Sequence, residues 1–289
     1  MGIIFAFLAL VSWGFGDFLI QRSARRFGDW TALFFISMVG TIGLLPFAWK
    51  GLSELSADPR AFWMLLGTSA ALLVAALLEF EALRVGKLSV IESVWVLEVP
   101  VTAVLSAGVL GERLSVFQVA CIAAAVFGIV LVSTKSFAAL KLKEVVSERG
   151  VWLAVLAALS MGTVNFLFGV SARETDPMVI NWFTSAFLAV ATFAYLWRRG
   201  SLGEMVMRWR TNRRLVLSVG IIDNLAWVFF ASSMLFIPIA VATGISEGYI
   251  ALAALLGLAV NRERLTTHQL FGLVLAVAGA IALAATETF

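Results

Sequence analysis

Seven acidic residues stand in stretches that are otherwise apolar on every side: Asp17, Glu79, Glu81, Glu92, Glu98, Asp223 and Glu247. No lysine or arginine falls in those stretches except at their edges. A carboxylate at the middle of a bilayer costs roughly 2.5–3.5 kcal/mol on insertion scales. Such a group needs a wet cavity, a partner or a proton. With no internal base to pair with, protonation or a cationic ligand is the natural compensation.

Spacing ranks these acids. Glu98 lies two residues before Pro100, whose missing N–H leaves a helix open there. Glu92, Trp95 and Glu98 recur every third residue, so on a helix they span about 120° of one wide face. Trp13 and Asp17 stand one turn apart, Asp223 and Trp227 repeat that spacing, and Glu247 lies close to Tyr249. An acid beside an aromatic face is the chemistry of an organic-cation site. Other residues have plainer readings. Glu79 and Glu81 lie near Arg84 and Lys87 and are expected as interfacial salt-bridge partners. Glu112 and Glu263 each precede an arginine and are expected as helix-start acids. Trp13, Trp95 and Trp227 also read as packing residues, and Asn165, Asn181 and Asn224 as polar ligands or interhelical glue.

The elements that hold these acids must be membrane helices. The 289 residues are 61% hydrophobic and only 13% charged, with mean hydropathy +0.99. A soluble domain carries about 25% charge. A single cysteine, Cys121, and a single histidine, His268, leave no internal disulfide, thiolate cluster or histidine-based site. No nucleophile–base set and no Gly-rich phosphate loop is present, so no enzyme activity, cofactor or metal is expected. Ten stretches reach the roughly 20 residues a bilayer core demands: 2–21, 30–49, 61–83, 88–110, 115–134, 150–171, 178–197, 215–236, 238–260 and 267–285.

Basic residues orient the spans. Of 21 Lys and Arg, 17 lie in loops 1–2, 3–4, 5–6, 7–8 and 9–10. By the positive-inside rule those loops are cytoplasmic, both termini lie outside, and the count of ten is supported. The net charge of +3 is thus topological and does not point to nucleic acid. The apolar start has no basic residue ahead of it, unlike a secretory signal.

The chain also repeats. Ser12–Arg25 (SWGFGDFLIQRSAR) aligns with Ser160–Arg173 (SMGTVNFLFGVSAR), and Glu112–Gln118 (ERLSVFQ) with Glu263–Gln269 (ERLTTHQ). Asp17 thereby pairs with Asn165, and Glu98 with Tyr249. Five spans per copy is odd, so the copies enter the membrane in opposite senses. Such inverted repeats enclose a midplane cavity that can open to alternate sides. The expected architecture is an all-α polytopic membrane protein: a five-helix repeat over 1–136, a cytoplasmic linker over 137–149 and a second repeat over 150–289. Small residues four apart, Ala120, Ala124 and Gly128, and Gly272, Ala276 and Ala280, predict that spans 5 and 10 pack as a scaffold. Spans 1, 3, 4, 6, 8 and 9 are then expected to line the cavity.

These features together resemble the drug/metabolite transporter superfamily, its EamA-like branch in particular. The resemblance rests on Trp13-Gly14, on Pro100, on Gly111-Glu112-Arg113-Leu114 and on its echo Arg262-Glu263-Arg264-Leu265. It implies ten helices, a cavity between the halves and transport of small metabolites. Two features depart from it: termini predicted outside, and Ala251 where a proline would match Pro100. The candidate substrate- and proton-binding residues are Asp17, Glu98, Asp223, Glu247, Glu92, Trp13, Trp95, Trp227, Tyr249 and Asn165. The expected function is secondary transport, chiefly export across the plasma (inner) membrane, of a small cationic or zwitterionic metabolite or drug in exchange for protons. The partners are that solute, protons and the lipid bilayer. The alternatives are a proton-independent facilitator and a flippase of lipid-linked substrate. Oligomeric state stays open.

Overall fold

The computed structural model describes residues 1–55, 57–85, 94–133, 149–249, 252 and 266–285. Its elements there are helices: α1 (Gly2–Phe27), α2 (Asp29–Leu55), α3 (Pro59–Val85), α4 (Glu98–Leu110), α5 (Val116–Ser133), α6 (Arg149–Glu174), α7 (Pro177–Arg198), α8 (Leu202–Thr211), α9 (Arg213–Ser233), α10 (Ile239–Ser246) and α11 (Thr267–Ala285). Among the described residues α1, α2, α3, α6, α7 and α9 are long and apolar enough to cross a bilayer, and α4, α5 and α11 are shorter apolar helices. α10 occupies the start of the span expected at 238–260, most of whose remainder lies outside the described residues. The chain is an all-α polytopic membrane protein. Its outward faces carry large exposed apolar side chains such as Val104, Val190 and Ile42, as suits helices bathed in lipid.

The main helix pairs cross between the two halves of the chain. α1 packs on α9 and α3 on α6, while α2 packs on α7 and α5 on α11. Two copies about a pseudo-two-fold axis give this pattern: two exchanged pairs and two pairs formed by counterparts. The α5–α11 contact is backbone on backbone. A Cβ on Gly128 would lie 2.5 Å from the Ala276 nitrogen, and one on Gly279 would lie 2.9 Å from the Ala125 nitrogen. The contact joins the spans expected to form a scaffold.

Three local features differ from expectation. The helix expected from residue 88 is interrupted, among the described residues, by a turn at Val96 and Leu97: Val94 and Trp95 are helical, and α4 starts afresh at Glu98. Pro100 therefore sits in the first turn of α4, where a missing N–H costs little. The second copy breaks at the corresponding place: α10 ends at Ser246 and a turn at Glu247 and Gly248 precedes Tyr249. The end of the first ERLxxxQ motif is a capping box. The Ser115 N–H donates to Gln118 Oε1 (2.8 Å), and the Gln118 N–H donates to Ser115 Oγ (3.1 Å). The Thr266 N–H donates likewise to Gln269 Oε1 (3.0 Å). So Glu112 is not the start acid of its own helix. It accepts the Ile239 N–H at the start of α10 (3.1 Å) and pairs with Arg173 (2.8 Å). Arg173 also donates to the Met234 and Ile237 carbonyls at 2.8 and 3.0 Å. This knot joins the end of α6, the α4–α5 corner and the α9–α10 corner. Glu263 lies outside the described residues. The third feature is α8, a short helix within what was expected to be a loop.

α1, α3 and α7 end at one face, where α2 and α9 begin. Trp30 stacks on Tyr195 there (3.8 Å between ring centroids) and Arg84 reaches Asp29 (3.4 Å). Arg22, Arg25, Arg26, Arg198, Arg199, Arg213 and Arg214 are exposed on this Arg-rich face. The Arg173 knot lies on the opposite face.

Candidate functional site

A cavity sits where the two helix breaks meet α1, α2, α3, α6, α7 and α9. Its volume open to the centre of a water molecule is about 90 Å³. One water needs about 10–15 Å³ on that measure, so several fit. Five carboxyls line it: Asp17, Glu79, Glu98, Asp223 and Glu247. No lysine, arginine or histidine is among the described lining residues.

Each acid is carried there by a definite element. Asp17 lies on α1, one turn from Trp13, and faces the Tyr249 hydroxyl. Glu98 is the first residue of α4 and accepts a hydrogen bond from Asn165 Nδ2 (3.2 Å). Asn165 belongs to α6, whose close approach to α4 depends on Gly162. A Cβ there would come within 2.8 Å of the Glu98 carbonyl oxygen. The repeat counterpart Gly14 plays the same part against Leu252, where a Cβ would meet a methyl at 2.8 Å. Asp223 projects from the middle of α9.

The two acids at the breaks meet opposite ends of helix dipoles. Glu98 stands at a helix N-terminus, where the partial positive charge favours a carboxylate. Glu247 follows the C-terminus of α10, where the dipole disfavours one. Glu247 is only 4% exposed, and its Oε2 has no hydrogen-bond partner; Asp17 Oδ2 is in the same condition. A buried polar atom left unpaired costs about 1–3 kcal/mol, more when charged. These oxygens are the ones that gain most from a proton or a cationic guest.

Aromatic rings form one wall. Trp13 meets Trp227 edge to face (5.3 Å), and both contact Phe230, at 5.0 and 5.9 Å. The wall of α2, α7 and α9 is polar but satisfied internally. Asn224 donates to the Ile36 and Gly220 carbonyls (3.0 and 2.7 Å) and accepts from Ser185 (3.1 Å). Asn181 donates to the Pro177 carbonyl (2.7 Å), and the Ser37 and Thr184 hydroxyls bond their own helices.

Of the candidate residues, Asp17, Glu98, Asp223, Glu247, Trp13, Trp227, Tyr249 and Asn165 converge on this cavity. Glu92 lies outside the described residues. Trp95 is not in the lining: it is 1% exposed and packs in the apolar core around Phe80 and Phe168. The continuous helix that was expected to align it with Glu98 is interrupted by the turn between them. Glu79 was expected at the interface but lines the cavity. It lies five residues from Arg84, about 140° around the helix, whereas Glu81 is three residues away and pairs with it (2.5 Å). α2 and α7 join the lining through Leu33, Ile36, Ser37, Thr184 and Ser185. Asn181 of α7, read from the sequence as a polar ligand or interhelical glue, lines the cavity too; the other signal on these helices is small hydroxyls inside apolar runs.

The EamA-like transporter family model matches residues 1–134 and again 148–285. The chain belongs to the EamA-like transporter family. It is therefore a multi-pass membrane transporter of the drug/metabolite type, built on a two-repeat fold. No curated protein matches it. A solved structure described only as "Crystal structure of protein" is similar along 100% of this chain and 99% of its own, with a TM-score of 0.69 at 15% identity. That likeness is one of fold alone.

Proposed function

We propose that this EamA-like protein exports a small cationic or zwitterionic metabolite or drug across the plasma membrane, by alternating access and in exchange for protons. The observation that carries the reading is the unpaired acidity of the cavity. Five carboxyls face one small space without a basic side chain among the described lining residues, and two of their oxygens lack any partner. Protons and the cation compete for the same oxygens, which couples their movements. The aromatic wall supplies ring faces and edges for a quaternary or primary amine. The exchanged helix pairs and the discontinuous helices at mid-depth support two copies, over 1–136 and 150–289, rocking about the site. In this reading ten spans place both termini outside and the Arg-rich face in the cytoplasm.

The test is reconstituted protein in vesicles, with organic cations screened first by thermal shift and then by counterflow. An imposed pH gradient is expected to accelerate uphill accumulation of a hit, and its collapse to abolish it. Counterflow that ignores the gradient would instead identify a facilitator.

A further inference from the structure

We propose that the cavity is a two-ended site selective for linear diamines, guests that carry an ammonium at each end of a short alkyl chain and no carboxylate. The proposal rests on the cation-carrier reading above and narrows it. Its first support is the symmetry of the lining. Asp17 and Asn165 are repeat counterparts, and so are Glu98 and Tyr249. In the fold Asp17 faces the Tyr249 hydroxyl, and Glu98 accepts from Asn165 Nδ2 (3.2 Å). The pseudo-two-fold axis thus carries one acid–donor pair onto the other, with acid and donor exchanged between the copies. One carboxyl stands on each side of that axis, and Glu247 lies two residues from Tyr249 on the Asp17 side. A guest with one charge satisfies one side. A guest that is itself two-fold symmetric satisfies both.

The second support is the direction of the hydrogen bonds. The two indoles aside, the polar side chains of the described lining point their hydrogens at protein acceptors. Asn165 and Tyr249 serve the two acids, and the amides and hydroxyls of α2, α7 and α9 donate to carbonyls or to one another. A guest therefore meets chiefly acceptors. Two of them are the buried, unpaired Glu247 Oε2 and Asp17 Oδ2. An ammonium brings three N–H donors and no acceptor, which matches. A carboxylate on the guest would face five acids and no basic side chain among the described lining residues, a buried charge without a partner. Size agrees. The 90 Å³ open to water centres is the room of roughly six to nine waters, or of a guest with about that many non-hydrogen atoms. A diamine on a chain of about four to six carbons meets that bound. Trp13, Trp227, Phe80 and Leu72 of the lining offer its methylenes apolar contact.

The test is binding and counterflow by the full chain in vesicles, with four probes. Putrescine is the diamine. Pentylamine replaces one of its ammoniums by a methyl, and aminovalerate replaces one by a carboxylate. Tetraethylammonium is a monocation without N–H groups and tests the wider cation reading. Putrescine is expected to bind about tenfold more tightly than pentylamine, the worth of one further charged hydrogen bond, and aminovalerate is expected not to compete. Glu98→Gln should bring putrescine down to the affinity of pentylamine and leave pentylamine as in wild type, whereas Glu247→Gln should weaken both. A purely structural role for Glu98 would not separate the two amines. Should Glu98→Gln fold poorly, a series of diamines against matched monoamines on the wild type serves instead: the preference should peak at about four to six carbons. A preference that only rises with chain length, pentylamine equal to putrescine, competition by aminovalerate, or a Glu98→Gln variant that melts as wild type and keeps the preference would each overturn the two-ended site. Transport of tetraethylammonium without binding of any diamine overturns this proposal alone; no binding of any of the four probes overturns the cation carrier with it.

Discussion

Glu247 and Glu98 are both buried acids at helix breaks, yet their surroundings give them different work. Glu98 has the Asn165 amide and a helix N-terminus; Glu247 has a helix C-terminus and an unpaired oxygen. A cation should therefore relieve Glu247 more than Glu98. Glu247→Gln is expected to weaken cation binding about tenfold to a hundredfold, the equivalent of about 1.5–3 kcal/mol for a charged hydrogen bond. Glu98→Gln is expected to cost less. Titration of the purified variants with a transported cation checks the order, and a larger loss at Glu98 would show that the dipole argument fails. The cluster of acids was legible from composition alone, because charge in an apolar run is conspicuous. The place of Glu79 was not. Nearness in sequence to Arg84 suggested a partner that the helical angle denies it.

Among the helices, α5 and α11 are the rigid pair. Their contact at Gly128 and Gly279 leaves no room for a side chain. Gly128→Val is expected to destabilise by about 1–3 kcal/mol, through overpacking against backbone that cannot yield. The measurement is the melting temperature in detergent; cation affinity of the folded fraction should stay near wild type, because neither helix lines the cavity. Affinity lost without any change in melting would contradict the scaffold role. Small residues four apart announced this pair in the sequence. The broken helices were harder to read. Pro100 marked the region, but a proline in a first turn and one in a helix interior look alike until the start of the helix is known. The second break, at Glu247 and Gly248, has no proline at all.

At the scale of the whole molecule, the repeat and the distribution of arginine carry the architecture. Both are long-range patterns that survive uncertainty about any single boundary. They did not reveal that α2 and α7 reach the cavity, because those helices bring hydroxyls and an amide and no charge. The topology itself is open to a direct check. A cysteine added at the C-terminus should react with an impermeant reagent on intact cells, and the buried native Cys121 should add little background. Labelling that appears only after permeabilisation would reverse the orientation.

The Arg173 knot bears on how these halves could move. One guanidinium grips two carbonyls and a carboxylate, and that carboxylate grips an amide, so strands from both copies are stitched at a single point. A seam of this kind does not stretch gradually. If that rim parts during a transport cycle, the stitch comes undone as one event, and the rim has two settings with nothing stable between them.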